Sequence, residues 1–186
     1  DPNNLFLIDG SGYIFRAFYG LPSMSNNDGV PVNAVFGYTK MLLKLIDDFK
    51  PIYVAVIFDV ARKTFRNDLY DFYKANRSDP PDELIPQFSI IRDATNAIGL
   101  PVVEMEGYEA DDLIATYSDI ASKMNKNVII VSSDKDLMQL VDQNTTLFDP
   151  MKQFWINDDK VFEKFGVYPN KVIRSEERRV GKECER

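Results

Sequence analysis

The chain has 186 residues, 45% of them hydrophobic, which is enough for one domain with a substantial core. It contains no histidine, which excludes histidine-based acid–base catalysis, and only one cysteine, which excludes a disulfide framework. No apolar run approaches the roughly 18 residues of a membrane span, which excludes a transmembrane helix. The formal net charge of −7 argues against nucleic acid as a partner, unless acidic residues cluster around divalent cations that neutralise them locally.

The first half of the chain alternates between strand and helix patterns. "NLFLID" predicts a buried strand that ends at Asp9, and the "DGSG" that begins there indicates a tight turn. "NAVFGYTKMLLKLIDDF" has apolar residues at helical spacing and predicts a helix from Asn33 to Phe49, with Asn33 as a candidate N-cap. "IYVAVIFD" is nearly continuous in apolar residues, which is typical of an interior parallel strand, and it ends at Asp59.

The second half repeats the alternation. "PDELIPQFSIIRDATNAIGL" predicts a helix that Gly99 ends, "PVVE" a short strand, and "EADDLIATYSDIASKM" a further helix. "NVIIVSSD" predicts a buried strand ending at Asp134, "TTLFD" and "QFWI" two short extended segments, and "NDDKVFEKFG" a final helix. The chain is therefore predicted to be an α/β domain with a mainly parallel central sheet flanked by helices.

Two segments do not follow this alternation. The connection "VARKTFRNDLYDFYKANRSDPPD", residues 60–82, is rich in charged and aromatic residues and is long for a link between a strand and a helix, which is typical of functional loops. The tail "RSEERRVGKECER" has no apolar periodicity and resembles translated adapter sequence. We expect residues 173–186 to be non-native and residues 1–172 to form the domain.

Acidic residues occur at the predicted strand ends and in the first turn of one predicted helix. Taken singly, each has an ordinary explanation as a turn residue or a helix cap. Together they would meet at the carboxyl edge of a parallel sheet, where ligands bind, and would repel one another strongly. Two hard divalent cations, Mg²⁺ or Mn²⁺, would offset that repulsion through oxygen-only ligation. The candidate metal ligands are Asp9, Asp59, Glu109, Asp111, Asp112, Asp134 and Asp136.

Four blocks in order along the chain resemble one known family. "LIDGSGYIFRAFYGLP", "VAVIFDVARKTFRNDLYDFYKANR", "EGYEADDLIATYSDIA" and "VIIVSSDKDLMQLV" are similar to the 5′ nuclease domains of the bacterial DNA polymerase I type, in the flap endonuclease superfamily with a PIN-like core. The resemblance extends from Leu5 to about Val172.

The resemblance implies roles for individual residues. Asp9, Asp59 and the "EADD" carboxylates would hold one metal, with Asp111 also counted as catalytic, and Asp134 and Asp136 would contribute to a second. Residues 60–82 would form a helical arch.

The basic residues would contact the substrate. Lys74 and Arg77 would contact the scissile phosphate, Tyr73 and Arg16 would lie near the substrate end, and further phosphate contacts would come from Arg62 and Arg66. The ordinary alternative is that such residues are simply solvated.

The function that the resemblance implies is metal-dependent 5′-3′ exonuclease and flap endonuclease cleavage of DNA with a 5′ end or flap, in replication, repair and primer removal. We expect a cytoplasmic, nucleoid-associated bacterial monomer without membrane association, whose parent protein could carry a polymerase domain. After Val172 the family's second aspartate pair and helix-hairpin-helix element do not follow. A non-catalytic DNA-binding module therefore stays open, and so does a PIN-type ribonuclease, because the same carboxylate cluster would serve it. A HAD-like phosphatase is disfavoured because "LIDGSG" lacks the second aspartate of such enzymes.

Overall fold

A single six-stranded sheet organises the part of the chain that the computed structural model describes, residues 1–60 and 79–172. Its order is β3-β2-β1-β4-β5-β6, and all neighbours are parallel except β5 and β6. The strands are β1 (Asn4–Asp9), β2 (Tyr53–Ile57), β3 (Val102–Val103), β4 (Asn127–Val131), β5 (Thr145–Asp149) and β6 (Phe154–Ile156). This arrangement confirms the predicted α/β class with a mainly parallel sheet.

Helices cover both faces of the sheet. The described α-helices are α1 (Gly10–Gly20), α2 (Asn33–Phe49), α3 (Gln87–Ala97), α4 (Ala110–Lys123) and α5 (Asp158–Phe165), with 3₁₀ helices at Asp136–Leu140 and Pro169–Lys171. Because side chains alternate along a strand, Phe6 and Ile8 pack with α1, α2 and α3, whereas Leu7 packs with α4 and α5 on the other face.

Helix α1 was not predicted from the sequence, because the glycines of "DGSG" indicate a turn. In the structure, Asp9 is instead the N-cap of α1 and accepts a hydrogen bond from the Gly12 amide. A Cβ atom on Gly10 would lie 2.5 Å from the Phe58 ring, and one on Gly12 would lie 2.5 Å from Asp9 Oδ2. The glycines therefore permit a close approach between the start of the helix and its neighbours.

The predicted N-cap of α2 was wrong. Val32 occupies the N-cap position, and the Asn33 side chain instead donates to the Phe18 carbonyl at 3.1 Å. The first amides of α2 are satisfied by Gln87, whose Oε1 accepts from Ala34 N at 2.8 Å and from Val35 N at 3.1 Å. Gln87, 53 residues from Ala34 in the sequence, thus accepts the hydrogen bonds at the start of α2 that the Asn33 side chain was predicted to accept.

Three predicted boundaries also shift. Strands β2 and β4 end at Ile57 and Val131, so Asp59 and Asp134 lie in the loops that follow rather than on the strands. Helix α3 begins at Gln87, after a turn that includes the start of the predicted helix. None of the helices in residues 1–60 and 79–172 is both long and apolar enough to cross a membrane.

Candidate active site at the carboxyl edge of the sheet

Three predicted carboxylates follow adjacent strands. Strand β1 lies between β2 and β4, and its residues Ile8 and Asp9 stand beside Val131 and Ile57 respectively. Asp9 ends β1, and the loops after β2 and β4 place Asp59 and Asp134 near it, where both raise its pKa as like charges. The predicted meeting of acidic residues at this edge of the sheet is therefore present for these three residues.

Asp9 is the most buried of the three, at 6% exposure. Its Oδ1 accepts from the Gly12 amide at 2.8 Å, and its Oδ2 accepts from Ser132 Oγ at 2.8 Å. Burial raises the pKa of Asp9 because it penalises the charged form; the two hydrogen bonds lower it, and the charges of Asp59 and Asp134 raise it further. The ionised carboxylate is thus short of compensating positive charge.

Asp59 connects the sheet to the first turn of α4. Its Oδ1 accepts from the Ala110 amide at 2.7 Å, and its own amide donates to Ser11 Oγ at 3.0 Å. Its carbonyl accepts from Arg92 Nη2 at 2.8 Å. Asp59 is therefore held from three elements, α1, α3 and α4, although the residue itself is exposed.

Two acidic residues at the start of α4 cap the helix. Glu109 is the N-cap and forms a reciprocal capping box with Asp112, whose Oδ2 accepts from the Glu109 amide at 3.0 Å. Asp111 lies between them in the chain and is half-buried. Because Asp59 binds the neighbouring Ala110 amide, Asp111 is one residue from the contact that joins α4 to this edge.

The two carboxylates after β4 are exposed and form a local turn. Asp134 Oδ1 accepts from the Asp136 amide at 2.9 Å, directly before the 3₁₀ helix Asp136–Leu140. The Asp134 amide donates to Ser132 Oγ at 3.0 Å. Ser132 therefore joins this turn to the buried carboxylate of Asp9.

Sequence reasoning missed three residues that shape the edge, namely Ser132, Arg92 and Asp149. Besides Asp59, Arg92 binds Glu104 Oε2 at 2.8 Å through Nε, and its guanidinium carbon lies 4.9 Å from the centroid of the Phe58 ring. Asp149 ends β5 at 5% exposure, and its Oδ1 accepts from Ser133 Oγ at 2.9 Å. The position of Asp149 at a strand end was a usable sequence signal, whereas no local sequence pattern indicated Ser132 or Arg92.

The donor chemistry of this edge fits a hard divalent cation. Asp9, Asp59 and Asp134 offer only oxygen atoms, and Asp9 is buried among like charges without a cationic side chain bonded to it in the described residues. Within residues 1–60 and 79–172, however, no three acidic side chains are arranged as a group that could already hold a metal ion. The edge thus has suitable ligand atoms, while Glu109 and Asp112 are engaged in the cap.

Most of the predicted DNA-contacting residues lie outside the described residues. These are Arg62, Arg66, Tyr73, Lys74 and Arg77. Arg16 is described: it is exposed on α1, the helix that begins beside Asp9, and it forms no ion pair with other described residues. The roles expected for all six residues stay predictions.

The fold and the acidic edge together define an α/β domain with a mainly parallel sheet and carboxylates at the ligand-binding ends of its strands. A family model described as "5′-3′ exonuclease, N-terminal resolvase-like domain" matches residues 4–166. The chain belongs to this family.

Curated relatives agree with this membership. The chain is 55% identical over 179 residues to a DNA polymerase I of Rhizobium leguminosarum, and 40% identical over 168 residues to a 5′-3′ exonuclease of Aquifex aeolicus. The matches cover 92% and 90% of this chain but only 18% and 58% of those two relatives. The chain therefore corresponds to a part of the length of each.

Solved structures share the fold. The T5 5′-exonuclease with bound zinc ions has a TM-score of 0.72 and 22% identity, over 91% of this chain and 64% of that chain. The catalytic core of Rad2 in complex with DNA is more distant, with a TM-score of 0.53 and 13% identity, over 93% of this chain and 53% of that chain. At these identities the likeness establishes the architecture and not the ligands.

Proposed function

We propose that the protein hydrolyses DNA phosphodiesters as a divalent-metal-dependent 5′-3′ exonuclease and flap endonuclease. The observation that carries this proposal is the convergence of Asp9, Asp59 and Asp134 at one edge of the sheet, with Asp59 bonded to the first turn of α4. Family membership supports the reaction class, and a T5 flap endonuclease solved with DNA and metal ions shares the fold.

The proposed cofactors are two Mg²⁺ or Mn²⁺ ions. Asp9, Asp59 and Asp111 would hold one, and Asp134 and Asp136 would contribute to the other. Such ions, when bound, make water a stronger nucleophile and stabilise negative charge on a phosphate. The chain's own part is to hold the ligands, and the hydrogen bonds to Asp9 and Asp59 fix both carboxylates. Glu109 and Asp112 would add to the ligands of the first ion through carboxylate lone pairs that their capping box leaves unused.

The proposed substrate is DNA with a 5′ end or a 5′ flap. Lys74 and Arg77 would stabilise charge on the phosphoryl group, since a guanidinium and an ammonium are suited to phosphate oxygens. Contacts to the rest of the strand would come from Arg16, Arg62, Arg66 and Tyr73. The negative net charge of the chain is compatible with this partner if the cations neutralise the acidic edge.

The cellular context is also a proposal. Because one relative is a bacterial DNA polymerase I of which this chain matches 18%, we propose a parent protein with a fused polymerase domain. The protein would act as a monomer on nucleoid DNA in the bacterial cytoplasm, in replication and repair.

The test is cleavage by the complete gene product and two matched variants. Asp111→Asn should reduce Mg²⁺-dependent cleavage of a labelled 5′-flap DNA by more than the roughly 10–100-fold typical of losing an outer-shell partner. Asp119→Asn is the control, because Asp119 is an exposed aspartate of the same helix, and its ion-pair partner among the described residues is Lys123 on the surface. Asp119→Asn should therefore cleave like the wild type.

Three results would contradict the proposal in different ways. Undiminished cleavage by Asp111→Asn would refute the metal role of that residue. Flap binding that is equal with and without Mg²⁺ and yields no product would indicate a non-catalytic DNA-binding module. Cleavage of RNA but not of DNA would indicate a PIN-type ribonuclease.

A further inference from the structure

Ser132 is the first residue after β4 and is almost fully buried, at 2% exposure. Its backbone amide donates to the Phe148 carbonyl of β5 at 3.1 Å, so the residue is fixed to the sheet. A hydroxyl in this position cannot be satisfied by bulk water and has to find its partners within the protein.

The Ser132 hydroxyl has one proton to donate, and the structure determines where that proton goes. Its oxygen accepts from the Asp134 amide at 3.0 Å, and the other contact, at 2.8 Å, is to Asp9 Oδ2, which is an acceptor when ionised. The hydroxyl therefore donates to Asp9 and accepts from Asp134. One side chain thus joins two carboxylate-bearing segments, although Ser132 and Asp9 are 123 residues apart in the sequence.

This connection counteracts the repulsion between the carboxylates at the edge of the sheet. Asp59 and Asp134 act on Asp9 as like charges, and Asp134 is exposed in a loop that follows β4. Without a tie to the buried part of the sheet, repulsion would favour loop conformations in which Asp134 moves away toward solvent. Loss of the hydroxyl would also remove the donor that the buried Asp9 Oδ2 has among residues 1–60 and 79–172.

We propose that Ser132 is a positioning residue that holds the Asp9 carboxylate near the backbone of Asp134, so that less rearrangement is needed when a divalent cation binds. The inference rests on the proposed function, because it concerns the same carboxylates. A cation that binds ligands already held together loses less of its binding free energy to ordering them, and partners that orient ligands are typically worth 10–100-fold in metal affinity.

The experiment measures Mn²⁺ binding to the 186-residue chain by electron paramagnetic resonance of the free ion, without substrate. Ser132→Ala should raise the Mn²⁺ dissociation constant about 10–100-fold, and Ser132→Thr, which keeps the hydroxyl, should restore most of the affinity. Ser118→Ala is the matched control, because Ser118 is another buried serine, 5% exposed, whose hydroxyl bonds Thr145 Oγ1 at 3.2 Å away from the acidic edge. Its Mn²⁺ affinity should stay within about twofold of the wild type.

The outcomes separate this inference from the proposed function. If the wild type binds Mn²⁺ and Ser132→Ala binds it equally well, the inference fails and the metal site stands. Equal weakening in Ser132→Ala and Ser118→Ala would mean general destabilisation and would also overturn it. If the wild type binds no Mn²⁺, the proposed metal site fails, and the inference fails with it.

A second variant tests the inference if Ser132→Ala does not fold. Should circular dichroism show that Ser132→Ala is unfolded, Ser132→Cys replaces it, since a thiol has nearly the same shape and is a weaker donor. Ser132→Cys should then bind Mn²⁺ less tightly than Ser132→Thr. Wild-type affinity in Ser132→Cys would overturn the inference.

Discussion

Replacing Gln87 by alanine should destabilise the fold strongly, because this side chain has no exposed surface and makes four hydrogen bonds. Its Oε1 accepts from the Ala34 and Val35 amides at the start of α2. Its Nε2 donates to Asn33 Oδ1 and to the Glu83 carbonyl, each at 2.9 Å. The network joins the start of α3, which follows residues 60–82, to the start of α2.

The size of the effect follows from which partners water can reach. Ala34 and Asn33 are 0% and 3% exposed, so truncation leaves a buried amide and a buried carboxamide oxygen without partners. Each such group costs about 1–3 kcal/mol, which gives a loss of about 2–6 kcal/mol in the free energy of unfolding. Val35 and Glu83 are less buried, so we count nothing for them.

Equilibrium urea unfolding, followed by far-ultraviolet circular dichroism, measures this loss. Gln143→Ala is the control, because Gln143 lies exposed in the loop before β5 and its truncation should change the free energy of unfolding by no more than about 0.5 kcal/mol. A loss below about 1 kcal/mol for Gln87→Ala would refute the reasoning, since it would mean that water or a rearranged helix start satisfies the amide.

Two further predictions concern buried titratable groups, and urea unfolding at several pH values tests both. The Asp9 carboxyl contributes stability below its ordinary pKa of 3.8, and this is lost as the pH rises through the pKa that burial has raised. Asp9→Asn should therefore be more stable than the wild type at pH 7 without metal, and this gain should disappear below pH 3.8. A loss of stability at pH 7 would contradict the prediction. Burial raises the pKa of Tyr38 from 10.0 to about 12, so its stabilising effect is complete below pH 10 and is lost as the pH rises through about 12. Tyr38→Phe loses the 2.7 Å hydrogen bond to Thr95 and should lower the free energy of unfolding by about 0.5–1.5 kcal/mol at pH 8. The free energy of unfolding of this variant should also fall less steeply with pH in the alkaline range than that of the wild type. Identical alkaline slopes for the two proteins would contradict this prediction.

Local patterns in the sequence determined most of the architecture. The helix predicted from Asn33 to Phe49 has those bounds in the structure, and the strand ending at Asp9 ends there. Both succeed because apolar spacing reports which face of an element is buried, and this depends on the segment alone. The same logic placed Asp59 and Asp134 at one edge, since parallel strands present their carboxyl ends together.

Only the tertiary structure decided which groups contact one another at that edge. The sequence predicted Glu109 and Asp112 as metal ligands, and the fold places both in a capping box, so their metal role stays a prediction. Nothing near Ser132 indicated a bond to Asp9, because that contact forms only when β1 and β4 pair. The side chain that satisfies the start of α2 is likewise 53 residues away. A buried polar group takes whichever partner the closed sheet and its helices bring within reach, and this depends on the packing of the whole domain rather than on local spacing.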